Sequence, residues 1–177
     1  ADVVALQELN RPDFEGAPTS FESLASTLGY PHLHTSTTQG VLDLGMRAGF
    51  LSRYPITSAT NIGSPPGARD MARQIPAVVV DVPATLADPT ILTLHLKCCL
   101  DPDDPFRRAV ELKRATDYLA AQELTAGDNV IVLGDFNLIG SDLAYDTVPS
   151  GLPQTFELGE DVTFPINYHT DPATYFQ

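Results

Sequence analysis

The sequence predicts an α/β domain built on mixed sheets. Short runs rich in Val, Ile and Leu recur along the chain. Two amphipathic segments with helix caps lie between them, and alternation of strands with helices defines the α/β class. The strands are short, and some neighbours are expected to be hairpins, which gives mixed sheets rather than one all-parallel sheet.

The 177 residues suit one domain, with roughly two thirds of the unfolded surface buried at this length. Residues 3–6 read as a buried strand ending at Gln7 and Glu8. A helix is expected next. Thr19 is a good N-cap, Glu22 completes a capping box, and Phe21, Leu24, Ala25 and Leu28 share one face. Gly29 is placed to end it in a left-handed turn. Residues 31–44 are mixed and polar and predict no element.

Residues 50–52 and 56–62 read as strands around Tyr54 and Pro55, and 63–67 as a loop with Pro65 and Pro66. Val78, Val79 and Val80 make 77–82 a strand that Pro83 ends. Residues 91–96 form another, with Leu92, Leu94 and Leu96 on one face and Thr93 and His95 on the other. Asp104 caps a second helix, with Pro105 at its first position. The pattern carries it to about residue 124, with Ala109, Leu112, Thr116 and Leu119 inward. Arg107, Arg108, Lys113 and Arg114 read as its solvated face, and Gly127 follows its end. Residues 130–133 are a fully apolar strand. From 141 on the chain reads as loop-rich, with one short strand near Gln154, Thr155 and Phe156.

Acidic residues outnumber basic ones, 23 to 10. Non-specific nucleic-acid binding relies on Lys and Arg neutralising phosphates, so an extended basic nucleic-acid surface is not expected. Solubility is the simpler account of the acidity. No apolar run approaches the ~20 residues that cross a bilayer. Cys98 and Cys99 are the only cysteines, and they are adjacent. Neighbouring cysteines rarely form a relaxed disulfide, so no disulfide framework is implied and the pair reads as structural or incidental. The opening on Ala1-Asp2-Val3 without an initiator Met predicts that an N-terminal portion is missing, which leaves the compartment unread.

Three strands share a layout. Each is an apolar run that meets polar residues at its C-terminal end: Glu8, His95, and then Asp135 with Asn137. Ligand sites commonly lie at such ends, where the scaffold is rigid and the loop open. On an extended backbone Asp135 and Asn137 point the same way while Phe136 points into the core. Gly134 lets the backbone leave the strand without a Cβ clash. Each feature alone has a plainer account. Gly134-Asp135-Phe136-Asn137 suits a turn, His95 a structural histidine, and Arg53 a sheet-edge residue. A zinc site from His32, His34, His95 and the cysteines lacks any paired-ligand spacing.

Together the segments are more specific. Asp2-Val3-Val4-Ala5-Leu6-Gln7-Glu8, Gly49-Phe50-Leu51-Ser52-Arg53-Tyr54-Pro55-Ile56, Leu94-His95-Leu96-Lys97 and Val132-Leu133-Gly134-Asp135-Phe136-Asn137 occur in that order. This resembles the endonuclease/exonuclease/phosphatase superfamily, which includes exonuclease III, DNase I and neutral sphingomyelinases. The likeness spans nearly the whole chain, and the order of motifs is more specific than any one of them.

The resemblance implies a four-layered, DNase I-like α/β sandwich, two mixed β-sheets flanked by helices, as a single domain over residues 1–177. It implies that Glu8 is the acidic ligand of a catalytic Mg²⁺, with Mn²⁺ as the alternative ion. Asp135 would orient or deprotonate the attacking water, and Asn137 would hold a phosphate oxygen. His95 would stabilise charge on phosphate or assist the leaving group. Arg53 and Lys97 are candidate phosphate contacts. The implied activity is hydrolysis of a phosphate ester, whether small molecule, lipid head group or nucleic acid, with water as nucleophile. The alternatives are a non-catalytic binding module of the same fold and an inactive fragment.

Family members also carry an asparagine on a strand before the glutamate motif and a C-terminal Asp-His pair. The chain is expected to begin after the first and end before the second, and so to be weakly active or inactive as it stands. Thr163-Phe164-Pro165 resembles the approach to that pair, whereas His169-Thr170-Asp171 has the order reversed.

Overall fold

The computed structural model describes residues 1–9, 20–37, 45–66, 71–83, 87–99, 104–125 and 127–137. In chain order these form β1 (Val3–Leu9), α1 (Ser20–Leu28), β2 (His32–Thr35), β3 (Arg47–Ser52), β4 (Ile56–Ile62), β5 (Ile75–Val80), β6 (Thr90–His95), α2 (Asp104–Ala121) and β7 (Val130–Asp135). They assemble as two sheets, ordered β1-β3-β2 and β4-β5-β6-β7. Among the described residues the first sheet is antiparallel throughout. The second is mixed, because β7 joins β6 in parallel. A parallel neighbour needs a crossover, and α2 lies in that crossover.

Three apolar clusters fix the layer order. Phe21 and Ala25 of α1, with Tyr30, pack on Val4, Leu6 and Leu51. Between the sheets, Val3, Ala5 and Phe50 meet Val78, Val80, Ile91 and Leu133. On the far side, Ala77, Leu92, Leu94 and Leu96 pack under Ala109, Leu112 and Ala115 of α2. The result is the four-layered sandwich: α1, first sheet, second sheet, α2. The two-residue period of β6 serves both interfaces, with Leu92, Leu94 and Leu96 toward α2 and Ile91 toward the other sheet. Every residue of β6 is buried.

Several expectations need correction. Residues 31–44 contain a strand, β2, whose His-Leu-His-Thr sequence has no apolar alternation. Pairing with β3, from His32↔Ser52 to Thr35↔Gly49, creates it. β3 starts earlier than the apolar pattern, at Arg47, and β5 at Ile75. In α1, Phe21 and Ala25 are buried but Leu24 and Leu28 are exposed; Gly29 ends the helix at φ +73°. α2 stops at Ala121, and Ala115 rather than Thr116 completes its inner stripe. Arg108 is not on a solvated face: it and Glu111 are almost fully buried. Val130 and Ile131 are exposed, since β7 has β6 as its one partner among the described residues. Thr19 and everything from residue 138 on, including the segments at 154–156, 163–165 and 169–171, lie outside the described residues. No helix among the described residues is long and apolar enough to cross a membrane.

Candidate active site

The C-terminal ends of β1, β6 and β7 meet at one end of the sandwich. There His95 Nε2 lies 3.7 Å from Glu8 Oε1 and 4.0 Å from Asp135 Oδ2. The imidazole is the floor of the cluster, with 3% of its side chain exposed, and the carboxylates are its rim, at 68% for Glu8 and 51% for Asp135. His95 and Asp135 are partners in the parallel ladder. Glu8 arrives from the opposite sheet.

Strict alternation would send Glu8 the wrong way. Val3 and Ala5 face the second sheet, and Gln7 reaches Thr93 on it, while Val4 and Leu6 face α1. Glu8 should then follow Val4 and Leu6. The register shifts between Leu6 and Leu9, and Glu8 takes φ +58°. A bulge of this kind re-aims a side chain, and here it turns the carboxylate into the cleft. A non-glycine residue in this left-handed region costs on the order of 1–3 kcal/mol and persists where its surroundings impose it. Gln7 Nε2 donates to Thr93 Oγ1 at 2.6 Å, two residues before His95, and so ties the two strand ends together.

Gly134 lies inside β7 at φ +132°, and a Cβ there would stand 2.0 Å from the Leu94 carbonyl oxygen. Its role is close approach of β7 to β6, rather than exit from the strand. Beyond it the backbone turns. Asp135 Oδ1 accepts from Asn137 N at 2.9 Å, and Asn137 adopts φ +50°. Its Nδ2 donates to the Leu96 carbonyl oxygen at 2.8 Å. The extended backbone expected through Asn137 therefore stops at Asp135, and Asn137 stands beside the cluster facing the loop after β6. Phe136 does pack against the apolar cluster under α2.

Two buried residues absent from the sequence reading hold that loop. Arg73 Nη1 donates to the carbonyl oxygens of His95 and Leu96, at 3.3 and 3.1 Å. Glu111 accepts from Ala72 N at 2.9 Å and from Lys97 N at 2.7 Å. Burial pushes the Glu111 carboxyl up to about 7, against those two donors and the charges of Arg73 and Arg108. A charged residue in a helix or a loop carries no local sign of burial, so the sequence pattern discloses neither.

Burial, then the Arg73 charge, holds the His95 imidazole below its ordinary value, while Asp135 and Glu8 pull upward. Its Nδ1 is buried with no hydrogen-bond partner among the described residues. Such an orphan is costly in a core.

The remaining candidates lie elsewhere or are engaged. Arg53 is at the opposite end of the first sheet: Val3 pairs with Ser52, Arg53 N bonds Asp2 O, and its guanidinium lies 5.5 Å from the Tyr30 ring centroid. Glu8 is five residues further along β1, roughly 15 Å at the usual rise. Lys97 pairs with Asp104 at 3.0 Å and donates to the Cys98 carbonyl oxygen.

The donors at the rim suit a hard cation. Mg²⁺ takes one or two carboxylates and keeps several waters. Glu8 and Asp135 are exposed, and among the described residues no Lys or Arg pairs with either. The imidazole between them, held below its ordinary value, is a poor counter-charge. Among the described residues no group of three or more His, Cys, Asp or Glu side chains is arranged to hold a metal ion by itself, so an ion here would be held chiefly by Glu8 and water.

Two facing sheets, helices outside and a Glu-His-Asp cluster at the strand ends define a DNase I-like sandwich. The chain belongs to the Endonuclease/Exonuclease/phosphatase family, whose sequence model matches residues 1–175. Among solved structures it is similar to sphingomyelinase C from Streptomyces griseocarneus (18% identity, TM-score 0.59, covering 77% of this chain and 51% of that one). It is also similar to D. rerio TDP2 complexed with a single-strand DNA product (21%, 0.56, 81% and 50%). A third is ANGEL2, a 2′,3′-cyclic phosphatase in complex with adenosine-2′,3′-vanadate (20%, 0.58, 86% and 46%). At these identities the likeness is one of fold, and the chain spans about half the length of these structures. No curated protein sequence matches it.

Proposed function

We propose that the protein hydrolyses phosphate esters with a divalent metal ion and a water nucleophile. The observation that carries this is the convergence of Glu8 and Asp135, from two sheets, on one buried imidazole nitrogen. Glu8 would hold Mg²⁺, or Mn²⁺, through its exposed carboxylate. Such an ion offsets the charge that builds on phosphate oxygens. Asp135 spends Oδ1 on Asn137 N and keeps Oδ2 toward the cleft, where it orients the water and accepts its proton. The imidazole of His95, whose pKa burial and Arg73 hold below the ordinary value, donates from Nε2 to a phosphate or leaving-group oxygen. Asn137 uses one amide hydrogen on Leu96 and has the second for phosphate.

The excess of acidic residues favours a small-molecule, lipid head-group or nucleotide ester over duplex DNA. The test is hydrolysis of bis(4-nitrophenyl) phosphate and 4-nitrophenyl phosphate by the gene product carrying this chain, with Mg²⁺ and with EDTA. Activity that survives EDTA removes the metal from the reading. Metal binding with no turnover of any ester leaves the binding module instead.

A further inference from the structure

The loop that follows His95 carries a pair of thiols that the proposed chemistry does not use. Cys98 and Cys99 are free, with their sulfurs 2.7 Å apart. Cys99 is exposed and sits at φ +85°. The Lys97 ammonium lies 3.9 Å from the Cys98 sulfur. The hydrogen bond shared with Cys99 and the Lys97 charge hold the Cys98 thiol below its ordinary value, against its burial.

We propose that Cys98 and Cys99 are an oxidative modification site that closes to a reversible vicinal disulfide and thereby shifts the neighbouring cleft. The co-reactant is a low-molecular-weight disulfide, RSSR. The Cys98 thiolate attacks one sulfur of RSSR, breaking its S–S bond and releasing RS⁻, which takes up the proton that Cys98 lost. Cys99 sulfur then attacks Cys98 sulfur in the mixed disulfide, and the second thiol leaves with the Cys99 proton. The protein loses two hydrogens, and one RSSR becomes two RSH.

Adjacent Cα atoms are about 3.8 Å apart, whereas relaxed disulfides span roughly 4.4–6.8 Å. The ring is strained, and strained, exposed disulfides are the readily reduced, regulatory kind. Lys97 O and Cys99 O flank the pair, and both accept from Arg108 Nη1, at 2.9 and 3.1 Å. One residue upstream, Leu96 O holds the Asn137 amide and Arg73. Closing the ring turns the peptide between Cys98 and Cys99 and carries the strain through Arg108 and Lys97 to Leu96. The disulfide stands on these distances alone; only a consequence for hydrolysis rests on the proposed function.

The experiment treats the full chain with oxidised glutathione and reads intact mass, together with the side-chain amide NMR signals of Asn137. The expected product is lighter by two hydrogens, resists alkylation at both cysteines, reverts with dithiothreitol, and shows shifted Asn137 signals. Cys99→Ser should instead stop at a glutathione adduct on Cys98. A wild-type chain that collects only glutathione adducts, or stays unmodified, overturns the disulfide. A disulfide that forms while Asn137 stays unmoved overturns the coupling. Neither result depends on turnover, so the hydrolase reading fails or stands separately.

Discussion

Glu8 Oε1 and His95 Nε2 stand 3.7 Å apart although they belong to different sheets, and a bulge with Glu8 at φ +58° puts the carboxylate there. A non-glycine residue in this left-handed region is strained, and the register shift between Leu6 and Leu9 accompanies it.

Glu8→Gly separates strain from function. Removing the left-handed penalty, ~1–2 kcal/mol for a residue with a Cβ, should hold or raise the urea midpoint. The same variant should lose the rise in melting temperature that Mg²⁺ gives a protein binding it in the folded state. Hydrolysis should fall by on the order of a hundredfold or more. A Glu8→Gly protein that still responds to Mg²⁺ would remove Glu8 as the metal ligand.

Gly134→Ala should destabilise by roughly 2–4 kcal/mol, in the range of severe backbone clashes. The added Cβ would stand 2.0 Å from the Leu94 carbonyl oxygen, so β7 must move away from β6. Asp135 would then separate from His95. Urea unfolding measures the loss; a change below about 0.5 kcal/mol, typical of harmless surface positions, would contradict the close approach.

His95 should titrate below histidine's ordinary 6.5, because burial and Arg73 oppose its charge. The folded state then binds a proton less readily than the unfolded chain. This stabilising contribution is complete above 6.5 and is lost as pH falls through the folded value. His95→Gln should flatten the acid side of the stability profile. An NMR titration of the imidazole placing its midpoint above 6.5 would refute the assignment.

Glu111 has the opposite linkage. Its folded value, about 7, lies above the ordinary 4.5, so its contribution is complete below 4.5 and is lost as pH rises through about 7. Glu111→Gln should abolish that slope. It should also lower stability by about 1–3 kcal/mol, because one of the two backbone donors, Ala72 N or Lys97 N, loses its acceptor. Melting temperatures of both proteins from pH 4 to 8, on the order of the range these values span, decide it.

Arg53→Ala should leave hydrolysis within about twofold, since its guanidinium lies at the other end of β1. It should cost ~0.5–1 kcal/mol, the worth of an exposed cation–π contact. A large fall in turnover with unchanged KM would show that Arg53 reaches the reacting phosphate by some other route.

Much of this molecule was legible from local pattern. The apolar runs before Glu8, His95 and Asp135 read as strands, and the alternation along β6 assigned Leu92, Leu94 and Leu96 to one layer and His95 to another. Periodicity works there because β6 is packed on both faces. It failed at β2, where His-Leu-His-Thr is a strand only because β3 lies beside it. It failed again at Arg108, whose charge reads as solvent-facing until a loop from elsewhere is laid over it, and it carried no sign that Glu111 beside it is buried.

The sequence by itself determined the residue types at three strand ends, and with them the family and the acid, base and amide chemistry available. Their assembly was a tertiary decision. Glu8 faces His95 because a bulge overrides alternation. Asp135 faces His95 because Gly134 permits a close ladder. Asn137 turns to Leu96 because its backbone leaves the strand in a left-handed step. Arg53 is excluded because an antiparallel register places it at the far end. Residue spacing encodes direction along one strand, but register and bulges between strands are set by packing, and they decide which side chains meet.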